Sequence, residues 1–122
     1  MDELIGRLVA NVGIDRATAE KAIAIILDFL RKEGPADKVQ ALIDKLPGAE
    51  AVLKAHDAAD AGSGLFSMGG IMGAGTKLMG AGLSMGQVQS VTREVISYAR
   101  EKLGEDAIGE IVGAIPGLSQ FI

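Results

Sequence analysis

Apolar residues recur every three to four positions along most of this 122-residue chain, the period of an α-helix with one buried face. Leu4, Ile5, Leu8, Val9 and Val12 share a face and predict a first helix over about 2–12. Gly13 stands where a left-handed C-cap is needed. Asp15 reads as the N-cap of a second helix over about 16–33. Ala19, Ala22, Ile23, Ile26, Leu27 and Leu30 form its stripe. Ile25 and Phe29 widen it, which implies burial on more than one side. Gly34 ends this helix, and Pro35 suits the first turn of a third. Val39, Leu42, Ile43 and Leu46 form the buried face there. Pro47 disfavours helical geometry at Leu46 and stops it. A short helix over about 49–60 follows.

The same punctuation returns 69 residues later. Gly13–Leu53 aligns with Gly82–Ile122 without a gap, and 14 of the 41 pairs are apolar on both sides where chance gives nine. Arg31 meets Arg100, Asp37 meets Asp106, and Pro47-Gly48 meets Pro116-Gly117. Ser84 and Gln87 form an S-x-x-Q capping box. Val88, Val91, Val95, Ile96, Ala99 and Leu103 carry the apolar face of the helix it opens. After Gly104, Ile108, Ile111, Val112 and Ile115 mark a last helix, stopped at Pro116-Gly117. Leu118, Phe121 and Ile122 form an apolar tail that docks. The recurrence predicts one supersecondary unit built twice, over about 1–53 and 71–122. The two units are expected to face each other about a pseudo-two-fold axis. A turn-spanning salt bridge in each, Arg31 to Asp37 and Arg100 to Asp106, is part of that expectation.

The connector over about 61–82 is different. Lys77 is its only charge, and glycine recurs at 62, 64, 69, 70, 73, 75, 80 and 82. The position predicts a loop and then a weak helix over 71–81 whose glycines let another backbone approach closely. Gly69-x-x-x-Gly73 is a small-xxx-small motif. Leu65, Phe66, Met68, Gly69, Ile71, Met72, Gly73, Leu78 and Met79 are therefore the candidate interaction surface, because Met-rich, charge-poor surfaces adapt to partners.

Composition narrows the function. The chain is 48% apolar with four aromatics, so the core is aliphatic and alanine- and leucine-rich, which favours helix over strand. The formal charge is −4 with no basic stripe, against nucleic-acid binding. Without cysteine there is no disulfide, thiolate nucleophile or zinc–thiolate site. The acidic Met1-Asp2-Glu3 start is unlike a signal peptide, and a cytoplasmic protein is expected. The uncharged run Ala61–Thr76 is too short and too glycine-rich to span a membrane.

Three motifs point towards chemistry and fall short. Gly82-Leu83-Ser84-Met85-Gly86 matches G-x-S-x-G, but that elbow needs a preceding strand and a downstream histidine, and the sole histidine, His56, is upstream. Gly70–Lys77 has Thr before Lys, the reverse of a phosphate loop. His56 with Asp57 and Asp60 supplies too few ligands for a metal centre. No cofactor, metal or catalytic residue is assigned, and a non-enzyme is expected.

The Gly-rich apolar middle, the helix pair ending in Ala114-Ile115-Pro116-Gly117-Leu118, and the matching Leu46-Pro47-Gly48-Ala49 resemble small bacterial all-helical proteins of unknown function. That resemblance implies an all-helical bacterial domain and no catalytic residues. The chain is expected to be one all-α bundle over 1–122, with about six to seven helices in two three-helix units and a Gly-rich insert. The leading expectation is a non-catalytic module that binds itself or another protein. The alternatives are a binder of a small apolar ligand between the two units and, third, a small hydrolase using Ser84 or His56.

Overall fold

In a computed structural model the chain is an all-α bundle. The structure describes residues 2–60, 70–115 and 117–120 and, within them, the side chains other than those of 56–60, 70–74 and 120. The elements are α1 (Asp2–Val12), α2 (Arg16–Glu33), α3 (Ala36–Asp44), α4 (Ala49–Asp60), α5 (Gly70–Gly80), α6 (Met85–Leu103) and α7 (Glu105–Ala114), then a 3₁₀ turn over Leu118–Gln120.

Local chemistry sets these bounds. The Asp15 carboxylate accepts a hydrogen bond from the Thr18 amide at 2.8 Å and caps α2. That bond, rather than any burial, holds the Asp15 pKa below the ordinary range. At α6 both arms of the capping box form: the Gln87 amide donates to Ser84 Oγ at 3.3 Å, and the Ser84 amide donates to Gln87 Oε1 at 3.0 Å. Gly13 and Gly82 break the chain ahead of these caps with φ of 83° and 106°, a region costly for any residue with a Cβ. Gly34 ends α2 for another reason. Its backbone is extended, but a Cβ there would lie 2.8 Å from the Leu30 carbonyl oxygen.

Two boundary expectations are corrected. Pro35 is the N-cap of α3 and stands just ahead of its first turn. That helix stops at Asp44, two residues before the position Pro47 restricts, where the last turn tightens to i→i−3 bonds: the Lys45 amide also donates to the Leu42 carbonyl, and the Leu46 amide donates to the Ile43 carbonyl. At the end of α7 the steric rule holds: Ile115, before Pro116, is extended at φ −111° and ψ 107°. The bridges across the turns are absent as well. Arg31 donates to Asp28 on its own helix at 2.8 Å, and no ion pair joins Arg31 to Asp37 or Arg100 to Asp106 among the described residues. A partner one turn away on the same helix is preorganised, whereas one across a loop is not. The docking expected of Phe121 and Ile122 lies outside the described residues.

The core is one aliphatic cluster centred on α2. Every residue from Ala22 to Leu30 is buried, since α1, α3, α4, α5 and α6 all pack on this helix. Burial extends along α6 through Val88, Val91, Val95, Ile96 and Ala99. Twelve of the fourteen apolar pairs noted above fall within the described residues, and ten are buried on both sides, Leu27/Ile96 and Leu42/Ile111 among them. The helix bounds recur too: α1, α2 and α3 shifted by 69 match α5, α6 and α7 to within a residue. The left-handed glycines do likewise, Gly13 with Gly82 and Gly48 with Gly117.

Two polar groups sit in this core. Thr92 satisfies its hydroxyl by donating to the Val88 carbonyl at 2.8 Å. Asp28, 3% exposed, accepts from Arg31 at 2.8 Å and pairs with Lys32 at 3.0 Å. Burial opposes ionisation of Asp28, but the bonds from Lys32 and Arg31 outweigh it and hold its pKa below the ordinary range. A depressed folded pKa contributes stability above the unfolded value of about 3.9, and that contribution is lost as pH falls through the folded value. Asp28→Asn is therefore expected to cost about 2 kcal/mol at neutral pH, the scale of a hydrogen bond to a charged group. It should also lessen the loss of stability between pH 5 and the acid limit, both read by urea denaturation across pH.

Candidate functional site

The chemistry-bearing motifs resolve into helix ends. Ser84 is the N-cap of α6, and α5 rather than a strand precedes it. Its oxygen accepts the Gln87 amide, as a cap does, and no strained strand-to-helix elbow lifts it into solvent. Gly70–Lys77 forms the first two turns of α5, so these amides serve a helix instead of curling round a phosphate. His56, Asp57 and Asp60 lie on α4, and their side chains are outside the described ones. Among the described residues no three His, Asp or Glu side chains converge as metal ligands.

The expected interaction surface divides. Leu65, Phe66, Met68 and Gly69 lie outside the described residues. Ile71, Met72 and Gly73 fall in the first turn of α5, with side chains outside the described ones. Leu78 is 2% exposed and belongs to the core. Met79 is 48% exposed, and Met85, which sequence reasoning missed, is 60% exposed. These two are the large hydrophobic side chains left in solvent among the described residues. They flank the turn 81–84 that joins α5 to α6. The register of α6 could have pointed to Met85, because it stands in the first turn, before Val88 and Val91 reach the core.

Glycines frame this corner. Gly75, Gly80, Gly82 and Gly86 each face open space where a Cβ would stand. For Gly75 and Gly80 this corrects the expectation of close approach: among the described residues no backbone lies against them. Glycine costs a helix interior about 0.5–1 kcal/mol relative to alanine, and at Gly75 no described side chain or backbone packs against the glycine in return.

A second feature lies between α2 and α4. Ala17, Ala24 and Ile25 of α2 and Ala51, Val52 and Ala55 of α4 line a groove of about 500 Å³, with Glu20 and Lys21 also lining it. Four of the lining residues are alanines, and their short side chains leave the space open. The described residues that line the groove all lie on α2 and α4.

Comparison with protein families, with characterised proteins and with solved structures found nothing that matches this chain. No described helix is long and apolar enough to cross a membrane. Ser84→Ala is expected to lower stability by about 1 kcal/mol, the ordinary cost of an N-cap. A drop in thermal midpoint of several degrees would mark Ser84 as a cap, and an unchanged midpoint would remove that role.

Proposed function

We propose that this protein is a non-catalytic self-association module whose contact surface is the α5–α6 corner bearing Met79 and Met85. The observation that carries the reading is the exposure of those two methionines, the large apolar side chains left in solvent among the described residues. Lys77 is the only charge from 61 to 91. Two copies of a chain with formal charge −4 repel least when they meet across a face poor in charge. Open glycines at 75, 80 and 86, with no described neighbour where a Cβ would stand, allow a partner backbone to come close. Burying two flexible, polarizable thioethers supplies the apolar anchors.

The test is sedimentation of the wild type beside a Met79→Asp/Met85→Asp double variant over a range of concentrations. The wild type is expected to dimerise, and the variant to weaken the dimer at least about ten-fold, the scale of truncating an interface anchor. Both side chains are exposed, so helicity and thermal midpoint should hold. A wild type that stays monomeric, or an unaffected variant dimer, would sink the proposal.

A second reading rests on the groove between α2 and α4. Its volume of about 500 Å³ falls in the range of small-molecule sites, which are largely apolar with few polar groups. An apolar ligand held there would be excluded by Ala51→Leu/Ala55→Leu, two exposed positions on α4 that tolerate the larger side chain. Titration with a fluorescent fatty acid is expected to saturate with the wild type and not with this variant. No saturable binding by the wild type would remove the reading.

A further inference from the structure

We infer that the half carrying α1–α4 and the half carrying α5–α7 are related by an approximate two-fold axis, and that each half can accept the complementary half of a second copy, giving a dimer with exchanged halves. The argument is topological. The N-terminal helix of each half leans on the long helix of the other: α1 packs on α6, and α5 packs on α2. A two-fold operation that carries α1 to α5 and α6 to α2 turns the first contact into the second. The remaining contacts between counterparts, α2 with α6 and α3 with α7, map onto themselves and straddle the axis. Helix bounds, left-handed glycines and buried apolar pairs recur at the same spacing of 69 residues, so geometry, backbone and core agree.

The consequence concerns partner choice. The contacts between halves, α1–α6, α2–α5, α2–α6, α3–α6 and α3–α7, can be supplied unchanged by another chain. Contacts within a half, such as α2–α4 and α6–α7, travel with it. Exchange therefore keeps the interface and alters only which chain provides each side. What favours the closed monomer is the covalent joint between α4 and α5, which holds the halves at an effective concentration on the order of millimolar. The exchanged dimer forms when chains fold at comparable concentration, or when the pairing within one chain is selectively weakened.

Among the described residues, two ion pairs cross the boundary and offer that selection. Arg7 of α1 pairs with Glu101 of α6, and Lys38 of α3 pairs with Glu110 of α7 at 3.1 Å. One chain would carry Arg7→Glu and Lys38→Glu, and the other Glu101→Arg and Glu110→Lys. Alone, each sets like charges against one another at both crossings. Exchanged halves of the two restore opposite charges at all four.

The experiment co-refolds the two full-length chains, one mass-tagged, at about 1 mM and low ionic strength, then reads stoichiometry by native mass spectrometry. A 1:1 dimer is expected, exceeding either homodimer at least about ten-fold, since it replaces like charges with opposite ones at all four crossings. Separate monomers, or homodimers formed as readily, would overturn the inference. If the double variants fail to fold, the Lys38→Glu and Glu110→Lys chains alone apply the same test with a smaller bias. Exchange is independent of the Met79/Met85 face. The 1:1 dimer should persist when both chains also carry Met79→Asp and Met85→Asp, and its loss there would assign the association to that face and overturn exchange.

Discussion

The whole fold depends on keeping α2 dry. Nine consecutive residues, Ala22 to Leu30, are buried on a single helix, and a helix apolar on every side has no stable state in water. Its neighbours are arranged accordingly: α1 and α3 from its own half, α4 from the far flank, and α5 and α6 from the other half. Each large aliphatic side chain removed from water contributes about 1.5–3 kcal/mol. In return the core accepts one carboxylate, Asp28, whose charge is met by two cations, Arg31 and Lys32, that themselves reach solvent.

Much of this was legible in the sequence because the helix-ending signals are local. Asp15, Ser84, Gly13 and Gly82 act through bonds and dihedrals spanning three or four residues, so their spacing is enough to read them. The α3 terminus was misread because the chain turned back at Lys45, ahead of the proline that would have stopped it. Arg31 was misassigned because recurrence marks equivalent positions and does not say which carboxylate lies within reach. The candidate surface was the least legible part. Leu78 and Met79 are neighbours of similar character, and only the packing of α5 on α2 and α6 sends one inward and the other out.

The halves are not equivalent, and α4 is where they part. On α2, Ala24 and Ile25 are buried on the flank that α4 packs against. The matching positions of α6 are Arg93, exposed, and Glu94, half-buried. A hydrophobic face that one half covers with α4 is thus made polar in the other. The incomplete fit of α4 on α2, lined by alanines, is also where the apolar groove lies. The recess opens where α4 is seated on the small side chains of α2.

Tyr98 closes the seam between α1 and α6. Its ring is 4% exposed, with the Arg7 guanidinium 5.1 Å and the Lys102 ammonium 5.2 Å from its centroid. It is the only tyrosine, and the chain has no tryptophan. The near-ultraviolet light this molecule absorbs and emits beyond its phenylalanines therefore arises at one joint, between a helix of the first half and a helix of the second. Its intrinsic fluorescence follows the meeting of the halves and is nearly blind to events at α4. The weak absorbance at 280 nm that makes the protein hard to quantify leaves it with a single built-in reporter, placed where its two parts join.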